Sequence, residues 1–268
     1  MKKSQLIYQY IREQGAVSKQ DIVIGLGLSL PTITQNLNNL AELGLIDTSK
    51  KISNTGGRNA TAYSYVEKAR YAVGLYLNRH HINCVAVDLS GNVISLIKVR
   101  ENFDLNDDNY LRKIGETVEE VKKDTGLPDD RFLGVGIAVQ GLISDDGERV
   151  TYGLTLNFTG VTRADIAKYI PYHNRLFHDS AAAGYAEVWD RNDLDDAFYL
   201  SLSNSVGGAV IVANKIFEGE RRKSGEIGHM TIIPKAGDRC YCGQRGCFDT
   251  VCRANVLAEY ADGDLEKF

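Results

Sequence analysis

His229 and the run Cys240-Tyr-Cys242-Gly-Gln-Arg-Gly-Cys247 place one imidazole and three thiols within nineteen positions. Thiolate and neutral imidazole suit a borderline-soft tetrahedral ion. Four protein ligands leave no open position for water, so the set predicts a structural Zn²⁺. A chain built around such a site must double back sharply. The Cys-x-Cys spacing is tighter than in a zinc ribbon, and Gly243 and Gly246 free the backbone to return Cys247 to the same point. The competing readings are reduced cysteines in a plain loop and a disulfide. The second conflicts with the compartment: Met1-Lys-Lys-Ser-Gln-Leu6 has no apolar run after its lysines, and no stretch approaches the ~20 apolar residues of a membrane span. The chain therefore reads as cytoplasmic with reduced thiols. Cys84 and Cys252 read as packing residues, although Cys252 lies near the motif.

Charge divides the chain unevenly. Residues 1–66 carry seven Lys/Arg against four Asp/Glu, a net of +3, while the remainder carries 24 against 31, a net of −7. A basic head on an acidic body suggests that only the head meets a polyanion. In that head Leu6, Ile7, Tyr10 and Ile11 recur at helical spacing until Gly15. Ser18-Lys-Gln-Asp21 forms a capping-box start with Asp in place of Glu. A turn at Leu26-Gly27-Leu28-Ser29 precedes a third helix opened by Leu30-Pro31. Ile33, Leu37, Leu40 and Leu43 form its expected buried stripe. Thr34, Gln35 and Asn38 lie opposite, with Thr32 on the flank.

That pattern predicts a helix-turn-helix whose second helix reads DNA. Gln35 suits adenine, and Thr32 or Thr34 suits a phosphate or a thymine methyl. Gly44-Leu45-Ile46 leads into a strand, Lys50-Lys51 and Thr55-Gly56-Gly57-Arg58 make a basic loop, and Thr61–Tyr65 is a returning strand. This is a wing, with Arg58 placed to enter the minor groove. The segment resembles the winged helix of bacterial repressors, whose Ser-x-x-Thr-Val-Ser-Arg-x-Val pattern is here Ser29-Leu-Pro-Thr32-Ile-Thr34-Gln35-Asn-Leu37. Gln35 departs from the usual Arg. The bland alternative is a small helical protein-binding domain.

From Tyr71 the pattern changes. Tyr71–Leu77, Ile82–Asp88 and Val93–Val99 read as a hairpin meander, and Asn109–Asp124 as a helix burying Leu111, Ile114, Val118 and Val121. Phe132–Val139 is a buried strand whose glycines keep backbone bare. Asp165–Tyr169 is helical, Arg175–His178 a strand, and Ser180–Trp189 a helix opened by Asp179. Phe198–Leu202 and Ala209–Val212 are further strands. Three strands followed by helix-strand alternation resembles the actin/hexokinase-like (ribonuclease-H-like) α/β fold, in which two lobes close over a sugar and a nucleotide.

Val135-Gly-Ile-Ala-Val-Gln-Gly141, Asn157-Phe-Thr-Gly160, His178-Asp179-Ser180, Val206-Gly-Gly208 and Gly225-Glu-Ile-Gly-His229 occur in order ahead of the cysteine motif. Together they resemble the repressor/ORF/kinase (ROK) family, and the likeness covers nearly the whole chain, winged helix included. The pairing of Glu-Ile-Gly-His with Cys-x-Cys-Gly-x-x-Gly-Cys is the specific part. The expected organisation is a winged helix-turn-helix over 1–66, a first lobe over 67–178 and a second lobe over 179–268. The family returns after the cysteine motif with roughly a hundred more residues, so the second lobe is expected to be incomplete here.

The family holds sugar kinases and sugar-responsive repressors. A kinase needs an Asp-x-Gly-Gly-Thr loop after its first strand to hold Mg²⁺-phosphate. Aligned on Asp88, that loop has Tyr76 for the Asp, Asn78 and Arg79 for the glycines, and His80 for the Thr. The second phosphate loop is Ser203-Asn204-Ser205-Val206-Gly207-Gly208-Ala209, also changed from its glycine-rich form. ATP chemistry is therefore not expected.

The sugar side is better kept. By resemblance Asp179 matches the catalytic base of the kinases, and Asn157, Glu226 and His229 match positions that contact sugar hydroxyls. Asp249 stands where the family has Glu. His178 replaces the Asn of the kinases, as in the family's repressors. A plain helix cap is the structural alternative for Asp179, and a solvated loop charge for Glu226. His229 is expected to bind zinc through one ring nitrogen and a ligand or carboxylate through the other.

The reading is thus a DNA-binding transcriptional regulator, a repressor that binds a double-stranded operator as a homodimer or higher oligomer. Its effector would be a monosaccharide or sugar phosphate. Its rivals are a sugar kinase carrying a DNA-binding head, and a regulator controlled by a transport protein.

Overall fold

The computed structural model describes residues 2–52, 59–189, 191 and 195–260. Contacts divide the chain into two compact units. The first holds Met1–Tyr71 with Asp88–Asn92 and Pro128–Phe132, and the second holds Ala72–Val87, Val93–Leu127 and Leu133–Phe268.

The first unit opens with three helices, α1 (Lys3–Gln14), α2 (Lys19–Leu26) and α3 (Leu30–Glu42). Each boundary has a local cause. Gly15 ends α1 at φ 78°, and Gly27 ends α2 in the left-handed region. Ser18 and Asp21 form the reciprocal capping box: the Asp21 N–H donates to Ser18 Oγ at 3.2 Å, and the Ser18 N–H donates to Asp21 Oδ2 at 2.8 Å. Pro31 sits in the first turn of α3. Four short strands follow: β1 (Ile46–Asp47), β2 (Lys51–Ile52), β3 (Ala60–Thr61) and β4 (Ser64–Tyr65). They pair antiparallel, β1 with β4 and β2 with β3. The expected returning strand over 61–65 is therefore two short pieces. The expected loop tip with Arg58 lies outside the described residues.

Ile7, Ile11, Ile22, Ile33, Leu37, Leu40 and Ile46 form the core of this unit. One member of the expected stripe is displaced. Leu43 is 54% exposed, because α3 stops at Glu42 and Gly44, at φ 67°, reverses the chain. Ile46 on β1 fills the core instead.

The second unit carries a five-stranded sheet, a three-stranded sheet and a two-stranded one. β5 (Tyr71–Leu77), β6 (His81–Asp88) and β7 (Val93–Arg100) form the expected meander, followed by α4 (Asp108–Asp124). β8 (Phe132–Val139) joins the same sheet, β9 (Leu142–Ile143) pairs with β10 (Val150–Tyr152), and α5 (Arg163–Ile166) follows. β11 (Asn174–His178) completes a five-stranded sheet in the order β11-β8-β5-β6-β7, with β11 parallel to β8 and β7 antiparallel to β6. α4 buries Leu111, Ile114, Val118 and Val121, as its pattern predicts. α5 differs from its expected span of 165–169. It is a single turn started by a second capping box, Thr162 with Asp165.

Helix α6 (Asp179–Val188) leads to β12 (Ala197–Leu202), β13 (Val206–Val212) and β14 (Lys215–Ile216), an antiparallel three-stranded sheet. Gly184 lets α6 lie close on it: a Cβ there would sit 2.8 Å from Ala209 Cβ. The cysteine segment then leads into α7 (Asp249–Cys252) and α8 (Ala254–Glu259). Among the described residues no helix is long and apolar enough to cross a membrane.

Candidate functional site

An open cleft lies in the second unit, lined from five separated stretches of chain: Tyr76, Gln140–Leu142, Tyr152–Thr155, His178–Gly207 and Glu226–Tyr241 each contribute side chains or backbone. Its carboxylates are Asp179 and Glu226. Asp179 is the first residue of α6, where β11 turns directly into helix. Its Oδ1 accepts the Ser180 N–H at 2.7 Å and lies 3.5 Å from His178 Nε2. Burial pushes the Asp179 carboxyl above its ordinary value, against the pull of the neighbouring His178. The helix start alone does not account for this position, since the side chain also faces the cleft.

Glu226 stands between two imidazoles. Its Oε1 is 3.9 Å from His178 Nε2 and its Oε2 is 3.9 Å from His229 Nε2. His229 in turn points Nδ1 at Cys240 Sγ, 3.6 Å away. One ring thus presents one nitrogen to the thiols and the other to a cleft carboxylate, the arrangement by which a metal ligand is oriented.

His229, Cys240, Cys242 and Cys247 bring their ligand atoms within 4.8 Å of one another. Cys242 Sγ and Cys247 Sγ are 3.6 Å apart. A tetrahedral ion with bonds to sulfur of about 2.3 Å needs sulfurs roughly 3.8 Å apart, so the four residues fit a metal ion. Burial pushes the Cys240 thiol up, and Cys247 up to about 12. A cation at the centre would supply the charge that holds such sulfurs as thiolates. Gly246, at φ 69°, makes the fold-back possible, since a Cβ there would overlap the Ile233 carbonyl oxygen. Cys252 stands outside the cluster, and Cys84 is buried in β6.

Two expected sugar contacts lie elsewhere. Asn157 occupies an exposed turn at φ 55° and does not line the cleft; Leu154 and Thr155 of the same turn do. Asp249 is fully buried in α7, where Oδ1 accepts the Val206 N–H at 2.7 Å. It therefore braces the turn that presents Ser205 and Gly207 to the cleft. Its shorter side chain ends on backbone.

Three cleft residues escaped sequence reasoning. Tyr241 lies between Cys240 and Cys242 in the chain and meets the His229 ring edge-on at 5.1 Å. Tyr152 ends β10, and Gln140 Nε2 donates to Tyr76 Oη at 3.3 Å. Tyr241 carried a signal, because it stands between two of the candidate ligands and is held beside the third, His229. Burial, then the Asp179 charge, pushes Tyr76 up to about 12, so it stays a neutral hydroxyl.

On the first unit, Gln35 and Asn38 of α3 are exposed. Thr34 Oγ1 instead donates to the Leu30 carbonyl at 2.8 Å, and Thr32 Oγ1 bonds Ser29 Oγ at 2.9 Å.

A five-stranded α/β sheet, an antiparallel partner sheet and a His/Cys cluster beside a carboxylate cleft define a fold shared by transcriptional regulators and sugar kinases. A family model described as "ROK family" matches residues 72–268, and the chain belongs to that family. The "Xylose repressor" of Bacillus subtilis (strain 168) is 25% identical over 267 residues, covering 94% of this chain and 66% of that protein. The "DNA-binding transcriptional dual regulator NagC" of Escherichia coli (strain K12) is 24% identical, covering 96% and 63%. The chain thus spans about two thirds of the length of these curated relatives. A solved ROK family transcriptional regulator, a homolog of the E. coli MLC protein, superimposes with a TM-score of 0.76 at 22% identity, covering 97% of this chain and 66% of its own. A ROK glucokinase from Streptomyces griseus, solved with glucose and AMPPNP, gives 0.59 at 20% identity, covering 74% and 67%.

Proposed function

We propose that this chain is a cytoplasmic, sugar-responsive transcriptional regulator, a repressor. Residues 1–66 form a DNA-reading winged helix-turn-helix, and residues 67–178 and 179–268 form the two lobes of a sugar-binding domain. One observation carries the choice over a kinase. The likeness to a ROK regulator runs over 97% of the chain, first unit included, whereas the likeness to the glucokinase covers 74%. The phosphate-loop positions point the same way. Tyr76 is bonded by Gln140, and Arg79 Nη2 donates to the Thr155 carbonyl at 2.6 Å, where a kinase needs bare backbone.

In this reading Gln35 and Asn38 read base edges, with Arg58 in the minor groove. Asp179, Glu226 and His229 receive sugar hydroxyls, and a structural Zn²⁺ on His229, Cys240, Cys242 and Cys247 fixes the wall that carries Glu226. A two-fold operator calls for a homodimer. The sugar acts by linkage: it releases DNA only by favouring a conformation with poorer DNA contacts. The decisive experiment is binding of the full chain to its own promoter region, titrated with monosaccharides and their phosphates. A shifted complex that dissolves with one sugar class is the expected result. Absence of any DNA complex would sink the reading, and ATP-dependent sugar turnover would favour the kinase. DNA binding with no sugar heat in calorimetry would favour control by a transport protein.

A further inference from the structure

The loop that follows β14, residues 217–226, carries a strained residue. Arg222 lies at φ 53°, in the left-handed region, where a Cβ crowds the following carbonyl. Such backbone persists only where surrounding contacts hold it. The loop is closed on itself: Ser224 Oγ donates to the Phe217 carbonyl, and the Arg222 N–H donates to the Gly219 carbonyl at 3.3 Å. The side chain of Arg222 leaves that loop. Its Nη1 donates to the Ser144 carbonyl at 3.1 Å and its Nη2 to the Asp145 carbonyl at 3.3 Å, 78 and 77 positions away along the chain. Its Nε lies 3.3 Å from Asp145 Oδ1 and 3.3 Å from Glu218 Oε2. The neighbouring Lys223 reaches the same β9–β10 hairpin, with Nζ 5.9 Å from the centre of the Tyr152 ring.

These contacts join two stretches that line the cleft. The hairpin supplies Leu142 and Tyr152, and Arg163 anchors it, with Nε donating to Glu148 Oε2 at 2.9 Å. The other stretch supplies Glu226, four positions after Arg222. The Glu226 N–H donates to the Lys223 carbonyl at 3.2 Å. Gly225 lies so close to β13 that a Cβ there would overlap the Gly208 carbonyl oxygen. Residues 223–226 therefore move as a piece, and Arg222 is their attachment to the hairpin. The side chain of Asp145 is 94% exposed, so its ion pair adds little. The two carbonyl bonds carry the link, since the Arg222 side chain is only 29% exposed.

We infer that Arg222 is a positioning residue for the effector: its guanidinium clasps the loop that carries Glu226 to the β9–β10 hairpin, so that both stretches bear on one ligand together. Arginine suits the role because its planar fork bonds two successive carbonyls at once, which a lysine ammonium does not match. The clasp touches no ligand itself. It sets the separation between Tyr152 and Glu226, and a ligand that contacts both meets a wall already in place. The effector role rests on the sugar-responsive reading above; the clasp does not.

The test compares the full chain with its Arg222→Gly variant by hydrogen exchange, and by calorimetry with D-xylose, D-glucose, N-acetyl-D-glucosamine and their phosphate esters. Glycine adopts φ 53° freely, which offsets the lost bonds, so the melting temperature should change little. Without sugar, amide exchange over 142–152 and over 223–229 should quicken together by about threefold or more, although the substitution lies in neither stretch. The sugar that binds the unsubstituted chain most tightly should lose about threefold or more in affinity. Arg222→Lys, which keeps a cation beside Asp145 and Glu218 without the paired donors, should fall between the two. Faster exchange confined to 217–226 overturns the clasp. A loosened hairpin with unchanged sugar affinity overturns its role in holding the effector and leaves the sugar-responsive reading standing. A loosened hairpin in a chain that binds no sugar of the panel overturns that reading and the effector role together, and supports the clasp.

Discussion

Asp249 shows how one residue's role turns on its surroundings. Spacing from Cys247 puts it beside a sugar-reading wall, but its carboxylate is buried and receives the Val206 N–H. Asp249→Ala would leave that N–H unpaired and cost about 1–3 kcal/mol of stability, read by denaturant unfolding. Asp249→Asn keeps an acceptor and should retain effector binding; a direct sugar contact would be lost in both. Asp179 makes the opposite case. Burial raises its pKa, so the folded state holds its proton longer than the unfolded chain does. Its contribution to stability is greatest below the unfolded value of 3.8 and is lost as pH rises through the raised folded value. Asp179→Asn should therefore raise the melting temperature at neutral pH, an advantage that shrinks as pH falls towards 3.8, while the effector response is lost. Melts across pH, with effector titrations at neutral pH, check both halves.

The elements were legible where their signals are local. Ser18 with Asp21, Pro31, Gly15 and Gly27 set the ends of the first three helices through bonds between residues a few positions apart. Leu43 was misplaced because periodicity continues on paper after the helix has ended. The four-residue α5 begins earlier than its expected span because the Thr162–Asp165 box sets its start. Two outcomes belong to this scale. Gln35→Ala or Asn38→Ala on α3 should weaken operator binding by about 1–3 kcal/mol each, seen in gel shifts, with the melting temperature unchanged. In the cysteine segment, chelation or Cys247→Ser should lower thermal stability and effector affinity together, because Glu226 meets the cluster through His229. Metal analysis of protein purified without chelator should find about one zinc per chain.

At the scale of the whole molecule, charge organisation is the feature that matters. The sequence shows a basic head and an acidic remainder. Within that acidic remainder, the fold gathers two carboxylates, Asp179 and Glu226, into one cleft lined by no Lys or Arg among the described residues. With ATP and a sugar panel, the proposed regulator should give no phosphoryl transfer above background; turnover would refute this. The sequence by itself determined the alternation of strands and helices, the helix ends and the four metal-ligand candidates, because each depends on residues close in the chain or on a short, chemically distinctive motif. Only the tertiary structure decided that Tyr241 and Gln140 line the cleft, that Asp249 braces a turn and that Asn157 stands away from the cleft. Those outcomes depend on which distant segments the two sheets bring together and on what each side chain loses when water leaves it, and neither is written in spacing along the chain.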